Sequence, residues 1–281
     1  MSDYALIPEG LIYGNGAELE QKLRSFIGAG ASSLHLVCDF DRTLTVRKPG
    51  SEGDVTTWSI LAEHLPIGAQ QEHAALYDKY RALETTETMT SDDAVDWWTS
   101  ILKLFVKHKI NINKIEADFL ERASVRLGTK ELFQACGKQN VPTVIMSAGI
   151  RDVIDVWGRA YDIQPTLTIS TALILDKEGT IIGWDEQTLV HTLNKHEADH
   201  PKLESIRQSR PKAIIVGDGM SDADMAIGAE DVLRIRIYDP RADEAKDLTK
   251  MRSETLERFD AIIESGSLDP LQSIVQLIID G

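Results

Sequence analysis

Residues 34–45, LHLVCDFDRTLT, decide the fold that we expect for this chain. They begin with an apolar run without Gly or Pro, which is typical of a buried strand in a parallel sheet. Asp39 and Asp41 follow, and side chains two positions apart in an extended chain point the same way. Two unpaired like charges are costly to bury, so the pattern predicts a hard cation such as Mg²⁺, with the Thr43 hydroxyl close by. An isolated pair of this kind also occurs in solvated acidic turns, so the rest of the chain has to decide.

Composition narrows the class of protein. The chain has 281 residues, enough for one α/β core with a smaller inserted domain, and its 42% apolar and 27% charged residues are normal for a soluble globular protein. The net charge of −15 argues against nucleic acid and against an anionic membrane surface as partners. No signal peptide or membrane-length apolar run is evident, which predicts a cytoplasmic protein. Cys38 and Cys136 lie in apolar stretches, and we expect both to be buried and unbonded.

A helical segment follows the first strand. Residues 46–58 are polar and rich in Gly, which predicts a loop that leaves the core. Apolar spacing then predicts helices at 70–84, 91–109 and 113–123, without strands between about 58 and 126. The sequence therefore predicts a core formed by residues 1–48 and 128–281 and a helical cap formed by residues 49–127.

A second buried strand is predicted at 141–146, VPTVIM, and it ends at Ser147-Ala148-Gly149. A helix, IRDVIDVWGRAYD, is predicted directly after this turn. A small polar loop between a strand and a helix places backbone N–H groups and a hydroxyl on a phosphate. Taken alone, the signal is weak, because many such turns carry Ser and Gly.

A third buried strand is predicted at 213–219, AIIVGDG, and it brings Asp218 to its end. Asp222 opens a predicted helix, DADMAIGA, where an isolated Asp would be an ordinary helix N-cap. Lys195 lies in a polar turn before another predicted helix, where an isolated lysine is usually solvated. Residues 165–184 are predicted to form two strands of a hairpin, and 232–237 a half-exposed strand.

Alternating strands and helices predict an α/β fold, a Rossmann-like parallel sheet with right-handed crossovers. In such sheets the ligand site lies beyond the carboxyl ends of the strands. Asp39, Asp41, Ser147 and Asp218 all fall at such ends, on three separate strands. It is far less expected by chance that all four polar residues lie at strand ends than that any one of them does.

These residue types suit phosphoryl transfer. Asp39 would attack phosphorus and form an aspartyl-phosphate, and Asp41 would protonate the leaving oxygen and then activate water. Mg²⁺ would bind Asp39, Asp218 and the backbone carbonyl of Asp41. Ser147 would hold phosphate oxygens, and Lys195 would balance the charge of the nucleophile and the phosphoryl group.

The motifs also resemble a known superfamily. DFDRTLT is similar to the first motif, DxDxT, of the haloacid dehalogenase-like hydrolases. MSAG supplies the second-motif Ser147, Lys195 the third-motif lysine, and GDGMSD the fourth-motif acids Asp218 and Asp222. The resemblance implies a Rossmann-like core, a Mg²⁺-dependent phosphohydrolase with an aspartyl-phosphate intermediate, and a helical cap between the first two motifs.

A narrower resemblance is carried by SAGIRDVIDV, LDKEGTIIGW, LVHTLNKHE and DWWTSIL, which are similar to the pyrimidine 5′-nucleotidase family (cytosolic 5′-nucleotidase III-like). It implies a nucleoside 5′-monophosphate as substrate, with Ser147, Ala148 and Gly149 on the phosphate. A cap glutamate holds the base in this family, and Glu84 fits that position best. Trp97 and Trp98 are candidates for stacking on the base. Arg151 replaces a usual glycine, and either adds positive charge near the phosphate or points to water.

Two alternatives remain at this stage. One is a phosphatase for another small phosphorylated metabolite on the same core. The other is a catalytically silent nucleotide-binding protein, which would be expected to lack the nucleophile or a fourth-motif acid, and both are present. The choice between pyrimidine and methylated purine nucleotides, the oligomeric state and closure of the cap are left open by the sequence.

Overall fold

A seven-stranded sheet is the centre of the part of the chain that the computed structural model describes, residues 5–86, 88–238 and 247–281. Its strands are β1 (Leu11–Ile12), β2 (Leu34–Cys38), β5 (Thr143–Ile150), β6 (Leu167–Thr171), β9 (Lys212–Gly217), β10 (Asp231–Ile237) and β11 (Ala261–Ile263). Two small antiparallel pairs accompany it: β3 (Thr45–Arg47) with β4 (Ala123–Val125), and β7 (Leu173–Leu175) with β8 (Ile181–Trp184).

The order across the sheet is β1-β11-β10-β9-β2-β5-β6, and only β1 runs antiparallel to its neighbour. Strand β2 lies at the middle of this order, with Val37 paired to Val144 on one side and to Ile215 on the other. The predicted α/β fold with a parallel sheet is confirmed. The register brings the ends of β2, β5 and β9 to one edge, where the predicted site residues follow.

The helices pack against the sheet and form the segment between β3 and β4. They are α1 (Gly16–Ala29), α2 (Thr57–Glu63), α3 (Ile67–Thr85), α4 (Ser91–Lys107), α5 (Ile112–Arg122), α6 (Thr129–Lys138), α7 (Arg151–Tyr161), α8 (Glu204–Ser209), α9 (Leu248–Leu256) and α10 (Asp269–Asp280). The helices predicted at 70–84, 91–109 and 113–123 are confirmed, with small shifts at their ends. No α-helix within the described ranges is long and apolar enough to cross a lipid bilayer.

Burial of apolar side chains holds the helices on the sheet. All five residues of β2 are buried, and the side chains of Phe26 on α1 and Trp157 on α7 are fully buried. A side chain of this size contributes about 2–3 kcal/mol when it is removed from water. Cys38 and Cys136 are both buried and unbonded, as predicted.

The helical segment leaves the core and returns to it through the β3–β4 pair, in which Val46 lies opposite Ser124. The prediction that 46–58 is a loop and that no strand lies between about 58 and 126 is therefore wrong at both ends. Three-residue strands carry too few positions for an alternating pattern to show. The domain division at residues 49 and 127 stays a prediction, and these short strands flank it.

Five other segments differ from prediction. Strand β5 continues through the Ser-Ala-Gly turn to Ile150, and residues 165–184 form three strands, because β6 joins the main sheet before the β7–β8 hairpin begins. The helices predicted after Lys195 and at 222–229 are short 3₁₀ turns, with α8 starting only at Glu204. Strand β10 is mostly buried rather than half exposed, since β9 and β11 flank it.

Candidate active site

Three carboxylates from separate parts of the chain meet at the carboxyl edge of the sheet. Asp39 follows β2, Asp218 follows β9, and Asp222 lies in the 3₁₀ turn Met220–Asp224. One oxygen from each carboxylate lies within 4.8 Å of the others. Asp39 and Asp222 are buried, and Asp218 is partly buried. Parallel pairing of β2 with β9 explains the meeting, since the Asp39 amide donates to the Val216 carbonyl oxygen at 2.9 Å.

Lys195 lies inside this group. Its Nζ donates to Asp39 Oδ1 at 2.5 Å and to Asp222 Oδ1 at 2.7 Å, and only 6% of its side chain is exposed. Burial alone would lower the pKa of Lys195, but the carboxylates of Asp222 and Asp39 outweigh burial and raise it. The lysine is therefore a fixed positive charge against the predicted nucleophile.

The donor set fits a hard divalent cation. Three carboxylates face one lysine, and the Arg42 guanidinium lies 4.0 Å from Asp218 Oδ2, so carboxylate charge exceeds the neighbouring positive charge. Burial, together with the charge of Asp39, raises the pKa of Asp222 against the opposing effect of Lys195. Oxygen ligands of this kind suit Mg²⁺. Asp222 also caps its own turn by accepting from the Gly219 amide at 2.8 Å.

Thr43 and the backbone around it link the two strand ends. The Thr43 hydroxyl lies 3.4 Å from Asp39 Oδ2 and 3.3 Å from Asp218 Oδ1, and the residue is fully buried. The Arg126 guanidinium binds the carbonyl oxygens of Arg42 and Thr43. This loop is thus held by a residue directly after β4. In this structure Thr43 contacts carboxylates, and its predicted contact with substrate stays a prediction.

Asp41 lies on the other side of the same loop, against the start of α2. Its Oδ1 accepts from the Thr57 amide at 3.0 Å, and its Oδ2 accepts from the Thr57 hydroxyl at 2.9 Å. Burial and the neighbouring charge of Asp39 raise the pKa of Asp41 to about 7, against the lowering effect of the two Thr57 hydrogen bonds. A carboxyl with this pKa can both give and take a proton near neutral pH. The metal contact predicted for its backbone carbonyl stays a prediction.

The turn Ser147-Ala148-Gly149 lies beside Asp41. Ser147 Oγ accepts from the Gly149 amide at 3.1 Å, and Ser147 is 2% exposed. A Cβ on Gly149 would lie 2.5 Å from Thr57 Oγ1, 3.1 Å from Asp41 Oδ2 and 3.1 Å from Ser147 Oγ. Glycine is thus required at this position, because three side-chain oxygens converge on the space that a Cβ would fill.

The Ala148 carbonyl oxygen accepts two indole N–H groups from the helical segment. Trp58 Nε1 donates to it at 2.8 Å and Trp98 Nε1 at 3.1 Å, and the two rings meet edge to face. Both α2 and α4 are therefore attached to the turn that carries Ser147. Trp98 is used here as a hydrogen-bond donor to the backbone, and base stacking by it stays a prediction.

Three further residues that the resemblance singled out have other partners in the structure. Glu84, on α3, forms an ion pair with Arg81 on the same helix. One face of the Trp97 ring is covered by Tyr80, with ring centroids 5.7 Å apart and planes 16° apart. Tyr77 and Trp98 contact the same ring edge to face, and Trp97 is 6% exposed, so stacking of a base on it stays a prediction. Arg151 is partly buried and donates to the Thr168 carbonyl oxygen on β6. Both expectations for it, added charge near the phosphate or exposure to water, stay predictions.

Thr57 and Trp58 were missed from the sequence, because VTTW reads as the end of a polar loop. The sequence did carry a signal for the start of α2, the pair Thr56 and Ser59, which form reciprocal hydrogen bonds between side chain and backbone in the structure. Ser or Thr three residues before another polar residue, ahead of apolar residues such as Ile60 and Leu61, is typical of a helix start.

Comparison with known proteins identifies the family. The family model described as pyrimidine 5′-nucleotidase (UMPH-1) matches residues 44–279. A Drosophila melanogaster protein named 7-methylguanosine phosphate-specific 5′-nucleotidase is 28% identical over 226 residues, which cover 75% of this chain and 70% of that protein. It is among the similar proteins of known name.

Solved structures agree in fold. The crystal structure of cytosolic 5′-nucleotidase IIIB bound to cytidine has a TM-score of 0.78 at 23% identity, and the match covers 98% of this chain and 96% of that one. A HAD family hydrolase from Salmonella enterica subsp. enterica serovar Typhi has a TM-score of 0.58 at 12% identity, over 89% of this chain and 73% of that one. The fold is that of the HAD hydrolases. With the family match across most of its length, the chain belongs to the pyrimidine 5′-nucleotidase (UMPH-1) family and is a phosphoric monoester hydrolase.

Proposed function

We propose that the protein hydrolyses nucleoside 5′-monophosphates in a Mg²⁺-dependent reaction through an aspartyl-phosphate. Pyrimidine nucleotides are the proposed preferred substrates. One observation carries the proposal: Asp39, Asp218, Asp222 and Lys195 come together at the carboxyl edge of the sheet. Hard-cation ligands, a carboxylate nucleophile and a fixed ammonium group are what phosphoryl transfer requires.

Asp39 is the proposed nucleophile. A carboxylate oxygen of Asp39 attacks phosphorus, a P–O bond to the aspartate forms, and the P–O5′ bond breaks. Lys195 Nζ, 2.5 Å from Asp39 Oδ1, orients the carboxylate and offsets its repulsion with the phosphate. Mg²⁺, held by Asp39, Asp218 and Asp222, would supply positive charge against the phosphate oxygens when bound.

Asp41 is the proposed acid and base. It donates a proton to the departing O5′, and in the second step it takes a proton from the water that attacks the aspartyl-phosphate and releases phosphate from Asp39. A pKa of about 7 suits both directions. Ser147 Oγ and the amide groups beside Gly149 are proposed to hold the remaining phosphate oxygens, since they lie next to the Asp41 carboxylate.

Selection of the base is assigned to the helical segment. Trp97, Tyr80 and Tyr77 form a group of aromatic rings on α3 and α4, and we propose that Trp97, with Glu84, meets the base. The family description and the cytidine bound to cytosolic 5′-nucleotidase IIIB support a pyrimidine. A second candidate is 7-methylguanosine 5′-monophosphate, which the name of the Drosophila relative favours.

The test is release of inorganic phosphate by the purified protein from CMP, UMP, AMP, GMP, 7-methylguanosine 5′-monophosphate and phosphoserine, with Mg²⁺ and with EDTA. We expect hydrolysis of CMP and UMP that requires Mg²⁺. Asp39→Asn is expected to lower kcat by at least about 10³-fold. Asp118→Asn is the matched control, because Asp118 is a partly exposed partner of His64 in the helical segment.

Each outcome assigns a substrate class. Preference for the methylated purine nucleotide would replace the pyrimidine proposal with the second candidate. Hydrolysis of phosphoserine with every nucleotide left intact would overturn the nucleotide proposal and retain the phosphatase. The proposed binding partners are small phosphate esters, and no role for nucleic acid or membrane is proposed. The expected cytoplasmic location stays a prediction.

A further inference from the structure

We propose that Thr57 is a positioning residue for Asp41. Because Thr57 belongs to the helical segment between β3 and β4, this segment sets the direction from which Asp41 delivers its proton to the leaving group. The inference rests on the proposed function, in which Asp41 is the acid. It assigns a role to a residue outside the motifs at the strand ends. This residue begins helix α2, which was not predicted because its start lies in a polar stretch of sequence.

Thr57 holds both oxygens of one carboxylate. Its amide donates to Asp41 Oδ1 at 3.0 Å and its hydroxyl to Asp41 Oδ2 at 2.9 Å. Thr57 itself is fully buried. Two donors from one rigid residue fix the rotation of the carboxyl plane, whereas a single donor would leave that plane free to turn.

The direction of the hydroxyl proton is also set. The Ile150 amide donates to Thr57 Oγ1 at 3.3 Å, so this oxygen accepts from the end of β5. A threonine hydroxyl carries one hydrogen, which therefore points to Asp41. Thr57 is a bridge from the helical segment to both the loop after β2 and the end of β5.

The bridge lies where the reaction needs precision. The Cβ position of Gly149 is surrounded by oxygens of Thr57, Asp41 and Ser147 at 2.5, 3.1 and 3.1 Å. The proposed acid and the proposed phosphate contact therefore share one small space with the Thr57 hydroxyl. A misplacement of a reacting group by about 1 Å lowers rates by about 10²-fold, so loss of one of two anchors has a measurable effect.

The experiment uses two leaving groups. A nucleoside 5′-monophosphate loses an alkoxide oxygen, which needs the proton of Asp41. In p-nitrophenyl phosphate the departing phenolate is stable without a proton. Single-turnover rates for CMP and p-nitrophenyl phosphate are measured with Mg²⁺, so that only the first chemical step is observed. The variants are Thr57→Val, which removes the hydroxyl at nearly constant shape, and Thr57→Ser, which retains it.

We expect Thr57→Val to slow CMP by about 10–100-fold and p-nitrophenyl phosphate by less than about 3-fold, because only the former needs the proton. Thr57→Ser is expected to restore the CMP rate. Thr56→Val is the local control: Thr56 Oγ1 caps α2 by accepting from the Ser59 amide at 3.1 Å, and any effect of its loss is expected to be equal for both substrates. If Thr57→Val does not fold, Thr57→Ala replaces it in the same comparison.

Equal slowing of both substrates by Thr57→Val, or no slowing of either, would overturn the inference and leave the proposed function intact. A folded wild-type protein that turns over p-nitrophenyl phosphate but no nucleotide would instead refute the proposed substrate. In that case the same variants are compared on a different ester with an alkoxide leaving group, chosen because the wild-type protein hydrolyses it.

Discussion

His35 Nε2 lies 2.7 Å from Glu197 Oε1, and neither side chain has any exposed surface. His35 is on β2, four residues before Asp39, and Glu197 is two residues after Lys195. His35 Nδ1 lies 2.7 Å from the Arg210 carbonyl oxygen, which can only accept, so Nδ1 carries a hydrogen. The pair connects the strand of the proposed nucleophile to the segment of the lysine that faces it.

Removal of His35 is expected to destabilise the fold strongly. His35→Ala leaves the Glu197 carboxyl buried without its partner, and loss of one member of a buried pair lowers the free energy of unfolding by about 3–5 kcal/mol. Urea denaturation followed by tryptophan fluorescence measures the change. His64→Ala is the matched control: that histidine lies 3.1 Å from Asp118 with both side chains more than a quarter exposed, and about 0–1 kcal/mol is expected. Similar losses in both variants would contradict this account.

Mg²⁺ is expected to stabilise the wild-type protein through the three carboxylates. A ligand at about 100 times its Kd adds about 2.7 kcal/mol, and thermal unfolding with and without Mg²⁺ measures the gain. Asp218→Asn removes one of the three carboxylates within 4.8 Å of one another, so most of the gain is expected to disappear. Asp118→Asn is the control and keeps it. A gain of the same size in Asp218→Asn would show that the ion binds elsewhere.

Stability is expected to fall between pH 6.5 and pH 4 in part because of His191. Burial lowers the pKa of His191 to about 4; the charge of Asp199 opposes this effect and that of His196 adds to it. Its Nδ1 also accepts from the Leu193 amide at 3.2 Å, which requires this nitrogen to be unprotonated. The unfolded chain therefore binds the proton first as pH falls, and the folded state loses about 2–3 kcal/mol by pH 4.

The variant His191→Gln isolates this contribution. Urea denaturation at pH 7 and pH 4 is expected to show a smaller loss of stability in the variant than in the wild type, by the same 2–3 kcal/mol or so. An equal loss of stability in the two proteins would mean that the pKa of His191 is the same in the folded and unfolded states.

The two thiols are expected to be unreactive in the folded protein. Both cysteines are buried, and burial raises the pKa of Cys136 to about 12 and that of Cys38 well above its usual value. Since the thiolate is the reactive form, Ellman's reagent at pH 8 is expected to detect almost no thiol in the native state and two in guanidinium chloride. Fast reaction of one equivalent in the native state would show that one of these sites opens.

The sequence was sufficient for features that depend on neighbouring residues. The apolar run before Asp39 and the polar turn after Met146 mark strand ends directly, and parallel pairing then brings those ends together. The fold class and the helices α3, α4, α5 and α7 follow from the same local patterns. Convergence of Asp39 and Asp218 could be foreseen because ligand sites lie at the carboxyl edge of such sheets, whereas Asp222 was expected there only through the resemblance to the hydrolase motifs.

Other features depend on contacts between distant residues. The β3–β4 pair is formed by three-residue strands almost eighty positions apart, and no local pattern announces it. Nothing near Thr57 in the sequence shows that its hydroxyl reaches both Asp41 and the Ile150 amide. Residues 222–229 have helical spacing, yet Asp222 uses its carboxylate on Lys195 and Gly219, and the turn stays short.

One peptide oxygen, that of Ala148, receives the indole N–H groups of both Trp58 and Trp98. This places an evolutionary constraint on the helical segment. A descendant that acquires a new substrate can exchange side chains on α3 and on the far side of α4, but loss of either indole would release the peptide plane next to Ser147. Relatives that diverge in specificity are therefore expected to retain an indole at both positions while their other aromatic residues vary.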